Sequence, residues 1–272
     1  MFPLSEEQIR RYARHIVLPG VGGHGQRQLL QSRVLLVGVG GLGSAISHYL
    51  AAAGVGTLGI VDGDVVDLSN LQRQVLFRTE DLGRPKAEVA RERLQALNPD
   101  VQVIPHTTRF TAANARQLVA DYDLIIDGSD NFATKYLIND VCVWERKPLI
   151  CGAILQYDGQ VSMVLPGGRP CYRCLLPTPP PPHLLQDCQR AGVLGAVPGT
   201  IGALQALEAL KWLLGVGTSL AGRLLIFDGL RAEWYSIQVE RRPDCPVCGD
   251  HPTLFEPIDY EAFCGMAPQT PA

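Results

Sequence analysis

Hydrophobic positions follow two alternating rhythms over the first half of the chain. Val34 to Val37 is an unbroken apolar run, the pattern of a strand covered on both faces, and it ends in glycines at 38, 40, 41 and 43. Small and apolar residues from Ser44 to Ala53 predict a helix, with Gly54 as its C-terminal stop. The alternation continues. Thr57 to Val61 reads as a second strand, and Gly83-Arg84-Pro85-Lys86 opens a helix whose buried face is Ala87, Ala90, Leu94 and Leu97. Val101 to Pro105, Asp123 to Asp127 and Leu149 to Ala153 follow as strands, separated by helices at Ala112 to Val119 and Phe132 to Trp144. This order predicts an α/β fold, a Rossmann-like doubly wound and mostly parallel sheet with helices on both faces. Ahead of it, Ser5-Glu6-Glu7-Gln8 is a capping box for a short helix, Glu6 to Ile16; Gly20 to Gly25 reads as a loop and Gln26 to Gln31 as a helical turn.

The rhythm changes after Ala153. Ala153 to Pro166 predicts a β-hairpin turning at Asp158-Gly159, and the proline run Thr178 to Pro182 suits neither helix nor sheet. Residues 177 to 195 are expected to form an exposed, mobile loop. A helix at Pro198 to Leu214 and strands at Arg223 to Phe227 and Glu233 to Val239 come next, and the tail from Pro257 is expected to be ordered only if something holds it. The expected organisation is a single domain over residues 1–272. Its Rossmann-like part is 1–153, a part with the hairpin and the expected mobile loop spans 154–256, and a tail covers 257–272.

With 272 residues the chain can bury a full core, and a net charge of −3 gives no basic field for nucleic acid. The apolar runs are too short to span a membrane, and Met1 to Leu18 is charged and amphipathic rather than a signal peptide. A cytoplasmic protein is expected, and there eight cysteines point to a metal site before disulfides. Cys171-x-x-Cys174 and Cys245-x-x-Cys248 supply the four thiolates that a closed, structural Zn²⁺ site prefers. Either knuckle alone would also suit a thioredoxin-like redox pair; two together favour zinc. Cys142 and Cys151 read as buried, inert thiols.

Candidate chemistry gathers where strands end. Gly38-x-Gly40-Gly41-x-Gly43 stands between strand and helix, the turn that lets a backbone approach a polyphosphate, and Asp62 follows where an acid reaches a ribose hydroxyl. A polar stretch from Asp64 through Asp67, Ser69 and Asn70 brings Arg73, a candidate phosphate clamp. Lys86 sits in a helix's first turn, which costs stability unless an anion is near. Asp127-Gly-Ser-Asp130-Asn131 puts a second acidic cluster at a strand end; a carboxylate beside a polyphosphate suits Mg²⁺, and Asp130 or Asn131 suits a helix cap as well. The arginines Arg10, Arg11 and Arg14, taken alone, read as solvated surface.

From Arg11-Tyr-Ala-Arg14 to Cys248 the chain resembles the MoeB/ThiF family, bacterial relatives of ubiquitin-activating enzymes that adenylate small ubiquitin-like sulfur carriers. The resemblance is carried by Gly38-x-Gly-Gly-Leu-Gly43, Asp62-x-Asp64, Ser69-Asn70-Leu71-Gln72-Arg73-Gln74, Gly83-x-Pro-Lys86, Asp127-x-x-Asp130-Asn131, both cysteine knuckles, and Cys188-x-x-Ala-Gly-Val-Leu-Gly195. It implies ATP and Mg²⁺, a homodimer, and Arg14 reaching the triphosphate of the partner subunit. It further implies a carrier ending in Gly-Gly, for molybdopterin, thiamine or tRNA thiolation. Longer relatives carry a rhodanese-like sulfurtransferase domain that this sequence lacks, so a separate persulfide donor, such as a cysteine desulfurase or rhodanese, is expected. In some relatives a cysteine placed like Cys188 becomes joined to the carrier; in others it is dispensable.

The chemistry fits these residues. A C-terminal carboxylate is already ionised at pH 7 and needs no general base, so the barrier is an anion approaching a tetra-anionic nucleotide. Arg73, Lys86 and Arg14 are expected to neutralise phosphates, Asp130 to hold Mg²⁺, Asp62 to hold the ribose, and Asn70 to complete the contacts. An NAD-dependent dehydrogenase would use the glycines and Asp62 equally well but leaves Arg73, Lys86 and Asp130 without a purpose. A scaffold that only docks a carrier would not need the phosphate-binding cations.

Overall fold

A computed structural model describes residues 3–180 and 192–265. One eight-stranded sheet runs in the order β3-β2-β1-β4-β5-β6-β7-β8. The strands are β1 (Arg33–Val37), β2 (Thr57–Val61), β3 (Gln102–His106), β4 (Leu124–Asp127), β5 (Leu149–Leu155), β6 (Asp158–Val164), β7 (Arg223–Asp228) and β8 (Glu233–Gln238). The first five are parallel, and β6 to β8 continue as an antiparallel meander. From β1 the chain winds outward through β2 and β3, then returns to β4 on the other side. The crevice beyond the carboxyl ends of β1 and β4 is therefore the topological switch point, where ligands bind in such sheets.

Side-chain alternation along β1 divides the core. Val34 and Leu36 face one apolar layer, which includes Ile46 and Leu50 of α4 (Gly41–Ala53) and Ile201 and Ala209 of the 19-residue helix Ala196–Leu214. Leu35 and Val37 face the other, with Tyr136 and Ile138 of the helix Phe132–Trp144 and the four knuckle cysteines. Among the described residues, no helix is long and apolar enough to cross a membrane.

Several boundaries differ from the sequence expectation. The N-terminal helix breaks at Tyr12 into α1 (Glu6–Arg11) and α2 (Ala13–Ile16). Tyr12 is buried, donating its hydroxyl to Asp100 Oδ2 at 2.9 Å and accepting from Asn98 Nδ2 at 2.8 Å. Of the stretch Gly20 to Gly25 expected as a loop, residues 22–25 belong instead to α3 (Gly22–Gln31). The β5–β6 hairpin turns at Gln156-Tyr157, not at Asp158-Gly159: Leu155 pairs with Asp158, and Gln156 carries the positive φ of 54°. The helix expected from Ala112 starts at Ala115. Of the segment 177–195, expected to be mobile, residues 181–191 lie outside the described residues; beyond them Val193 bridges Gln156 and the Leu194 N–H donates to the Gln156 carbonyl at 3.1 Å. Of the tail, residues 266–272 lie outside the described residues; within the described part a short helix, Tyr260–Phe263, buries Tyr260, whose hydroxyl donates to Asp140 Oδ2 at 2.8 Å.

Candidate functional site

Register builds the site. Val37 pairs with Val61 on one side and Asp127 on the other, so the next residues, Gly38, Asp62 and Gly128, emerge on one rim. Gly38 has φ +88°, and a Cβ there would lie 2.9 Å from the Gly128 carbonyl oxygen. Gly43 is tighter still: its Cβ would meet the Gly38 carbonyl oxygen at 2.2 Å. The turn can close over α4's first N–H groups only because both positions are glycine.

Asp62 pins this turn. Its Oδ2 accepts from the Val39 N–H and its Oδ1 from the Asp64 N–H, both at 2.9 Å, and each oxygen keeps a lone pair for a hydroxyl. Burial raises the Asp62 carboxyl above the ordinary carboxylate range, with nearby Lys86 pulling it back. Lys86 is 5% exposed and opens the helix Lys86–Leu97, with its ammonium 3.2 Å from Oδ2 of the exposed Asp64. This buried cation at the positive end of a helix is paired with the solvated Asp64 and stands near Asp62, on the side of the helix where an anion would also be favoured.

Residues 69–74 form a loop beside the glycines. Asp67 caps the 3-10 turn Leu68–Asn70: its Oδ1 accepts from the Ser69 N–H at 2.8 Å and the Ser69 hydroxyl at 2.5 Å, while Asn70 Oδ1 accepts from the Asp67 N–H at 3.2 Å. Arg73 donates to the Ser69 carbonyl at 2.9 Å, and its Cγ would lie 3.6 Å from a Cβ on Gly41. Leu71 turns into the core, and the Gln72 carbonyl is packed against Gly195. Gln74 is buried with Oε1 unpartnered, and its Nε2 would stand 3.5 Å from a Cβ on Gly40.

Across the crevice, Asp130 and Asn131 are exposed, and Asn131 caps the helix Phe132–Trp144 by accepting from the Thr134 N–H at 2.9 Å. Glycines 38, 40, 41 and 43, Asp62, Asp64, Lys86, residues 69–73, Asp130 and Asn131 thus share one rim. Arg14 does not. Tyr12 covers Gly54 and His15 Nδ1 pairs with Gln26 Oε1 at 3.2 Å, which places α2 at the C-terminal end of α4. The 13-residue α4 separates it from the glycine turn by about 20 Å. Cys188 lies outside the described residues.

The knuckles meet. The four Sγ atoms of Cys171, Cys174, Cys245 and Cys248 lie within 4.8 Å of one another, with Cys171–Cys245 at 3.7 Å and Cys174–Cys248 at 3.4 Å. Tetrahedral Zn–S bonds of about 2.3 Å put sulfurs about 3.8 Å apart, so the set fits a closed Cys₄ zinc site. Hydrogen bonding with Cys171 lowers the Cys174 thiol below its ordinary range, and the Arg242 N–H donates to the Cys174 sulfur at 3.4 Å. Cys142 and Cys151 are buried, and burial pushes Cys151 up to about 12.

Sequence reading missed the ties beneath the rim. Lys135 Nζ donates to Asp127 Oδ2 at 2.8 Å and to the Gly152 carbonyl at 2.6 Å, and Gln205 Nε2 donates to the Asp127 carbonyl at 2.9 Å. A signal existed, because Lys135, Asn139 and Asp140 interrupt an otherwise apolar helix and must find partners when buried.

A glycine turn at the switch point of a doubly wound sheet, followed by an antiparallel meander and a cysteine cluster, defines a Rossmann-like protein with a nucleotide-type cradle. The ThiF family model matches residues 12–247, and the chain belongs to the ThiF family. It is 52% identical over 267 residues to the sulfur carrier protein adenylyltransferase of Thermus thermophilus, covering 96% of this chain and 98% of that one. It is 48% identical over 265 residues to the SAMP-activating enzyme E1 of Haloferax volcanii, covering 97% and 98%. The adenylyltransferase and sulfurtransferase MOCS3 of Drosophila ananassae is 50% identical over 264 residues, but the chain spans only 58% of its length. Among solved structures, E. coli MccB with MccA-N7isoASN superposes with a TM-score of 0.78 at 23% identity, covering 90% of this chain and 75% of that one, which shows the shared fold.

Proposed function

We propose that this chain adenylates the C-terminal glycine of a small ubiquitin-like sulfur-carrier protein, consuming ATP and releasing pyrophosphate. The observation that carries this reading is the convergence, on the β1/β4 rim, of the glycine turn with Arg73, the buried Lys86 and the exposed Asp130. The cradle suits a polyphosphate, because the turn leaves no room for a Cβ at Gly43 and a buried cation, Lys86, stands beside Asp62 and Asp64 at the strand ends.

In this reading α4's N–H groups and the turn bind phosphates, and Asp62 holds the ribose by its free lone pairs. Arg73 and Lys86 neutralise charge as the carrier carboxylate approaches, which needs no proton removed at neutral pH. Asp130 would hold Mg²⁺; when bound, the ion supplies further charge neutralisation between phosphates. Ser69, Asn70, Leu71 and Gln72 form the loop that frames the nucleotide. Arg14 serves the site of a partner subunit in a homodimer. The four cysteines hold a structural Zn²⁺, and residues 154–256 dock the carrier. The activated carrier then accepts sulfur from a persulfide donor such as a cysteine desulfurase or rhodanese, with Cys188 a candidate for covalent capture.

Carrier-dependent ATP–pyrophosphate exchange tests the proposal directly, with each candidate Gly-Gly-ended carrier. Exchange should require a carrier and fall at least about 100-fold in Arg73→Ala. Zinc-loaded protein that supports no exchange with any carrier would sink it.

A further inference from the structure

Below the rim lies an ion pair that takes no part in the reaction as proposed. Lys135, the fourth residue of the helix Phe132–Trp144, has a side chain only 7% exposed, and Asp127 is buried beside it. Taking both charges out of water is costly unless pairing and hydrogen bonds offset it. Here they do. The ammonium bonds Asp127 Oδ2 and the Gly152 carbonyl, while Asp127 Oδ1 accepts from both the N–H and the hydroxyl of Ser129, at 2.9 and 2.5 Å.

Both ends of a short loop are fixed, the first of them by the pair. At one end Asp127 is held by Lys135 and, through its carbonyl, by Gln205. Gly128 is pressed on Gly38, where a Cβ would lie 2.5 Å from the Gly38 carbonyl oxygen. At the other end Asn131 caps the very helix that carries Lys135. Asp130 is the exposed carboxylate between these two fixed points. Two carboxylates at one strand end would compete for a cation; Lys135 occupies one and leaves the other to face the crevice.

We propose that Lys135 is a positioning residue for adenylation: by engaging Asp127 it neutralises that carboxylate and fixes the 127–131 loop, so that Asp130 alone is presented to Mg²⁺. This rests on the adenylation reading and on Asp130 as the metal-facing acid. Groups that orient a metal-holding carboxylate typically change metal affinity 10- to 100-fold when lost.

The test is ATP binding by calorimetry, without carrier, in EDTA and across a Mg²⁺ titration, for wild type, Lys135→Met and Lys135→Arg. The half-saturating Mg²⁺ concentration should rise about tenfold in Lys135→Met, with affinity for metal-free ATP unchanged, and Lys135→Arg should restore it. Unaltered Mg²⁺ dependence in a folded Lys135→Met would overturn the inference, even if its melting temperature falls, because the pair would then be structural only. Equal loss of ATP affinity with and without metal would overturn it too. Should Lys135→Met not fold, Lys135→Gln, which keeps a donor for Asp127 but carries no charge, is read in its place with the same two outcomes. A wild type that binds no ATP overturns the adenylation reading itself and this inference with it.

Discussion

At Gly43 the backbone has no room for a side chain, because the Gly38 carbonyl oxygen occupies the place of a Cβ at 2.2 Å. Gly43→Ala must therefore open the turn, at a cost on the order of 1–3 kcal/mol, typical of overpacking. The phosphate cradle and the stability share that residue, so the variant should show both a lower urea midpoint and a loss of ATP affinity. Unfolding and ATP titrations on the same preparation check this; an alanine variant that binds ATP like the wild type would show that phosphates are not held by this turn. Asp62 illustrates the same coupling. Its two oxygens hold the Val39 and Asp64 N–H groups, so the acid expected to read a ribose also shapes the glycine turn. Position in the sequence marked Asp62, Arg73 and Lys86, because spacing from a strand end is local information. The polar interruption at Lys135 was a signal that it needs a buried partner, but that the partner is Asp127, and that the amide of Gln74 is buried, were not legible, since each depends on elements brought together only by folding.

Elements were readable where burial dictates a periodic pattern. β1, β2 and β4 are covered on both faces; the unbroken apolar run Val34 to Val37 announced β1, and the short, mostly apolar stretches Thr57 to Val61 and Leu124 to Ile126 announced the others. Glycine misled where it serves packing rather than turning. Gly159 lies inside β6 because a Cβ there would meet Ile201 at 2.2 Å, and Gly25 lies inside α3 because one would meet Leu214 at 2.9 Å. Asp158-Gly159 looks like a hairpin turn only to a reader who cannot see the 19-residue helix passing over the sheet. The cysteine knuckles work at this scale too. Cys171 and Cys174 precede the helix Ala196–Leu214 and the two strands that follow it, and Cys245 and Cys248 come after β8, so one ion would fasten both ends of that stretch. Metal analysis should find about one zinc per chain, and chelation should lower the melting temperature, because binding free energy at such a site is folding free energy. Hydrogen exchange in β7 and β8 should rise on chelation. Metal-free protein with an unchanged melting temperature would rule out a structural role for the ion.

For the whole molecule, the decisive distance is the length of α4. Tyr12 is locked to Asn98 and Asp100 at the helix's C-terminal end, so Arg14 stands about 20 Å from the glycine turn of its own chain, beyond the reach of an arginine side chain. If Arg14 contributes to catalysis, it does so across a two-fold interface, and symmetry turns this into a quantitative expectation. Arg14→Ala and Arg73→Ala should each abolish carrier-dependent exchange when assayed alone. Denatured and refolded together in equal amounts, they should form about one half heterodimers, each with one site that has both arginines intact and one that has neither, so about one quarter of wild-type activity should return. An Arg14 acting within its own chain would restore none, since every site would then lack one arginine. Size-exclusion chromatography of the refolded mixture separates that outcome from a simple failure to dimerise. Recovery near one quarter would assign Arg14 to the partner's site; a dimer with no recovery would confine Arg14 to its own subunit and refute the shared site.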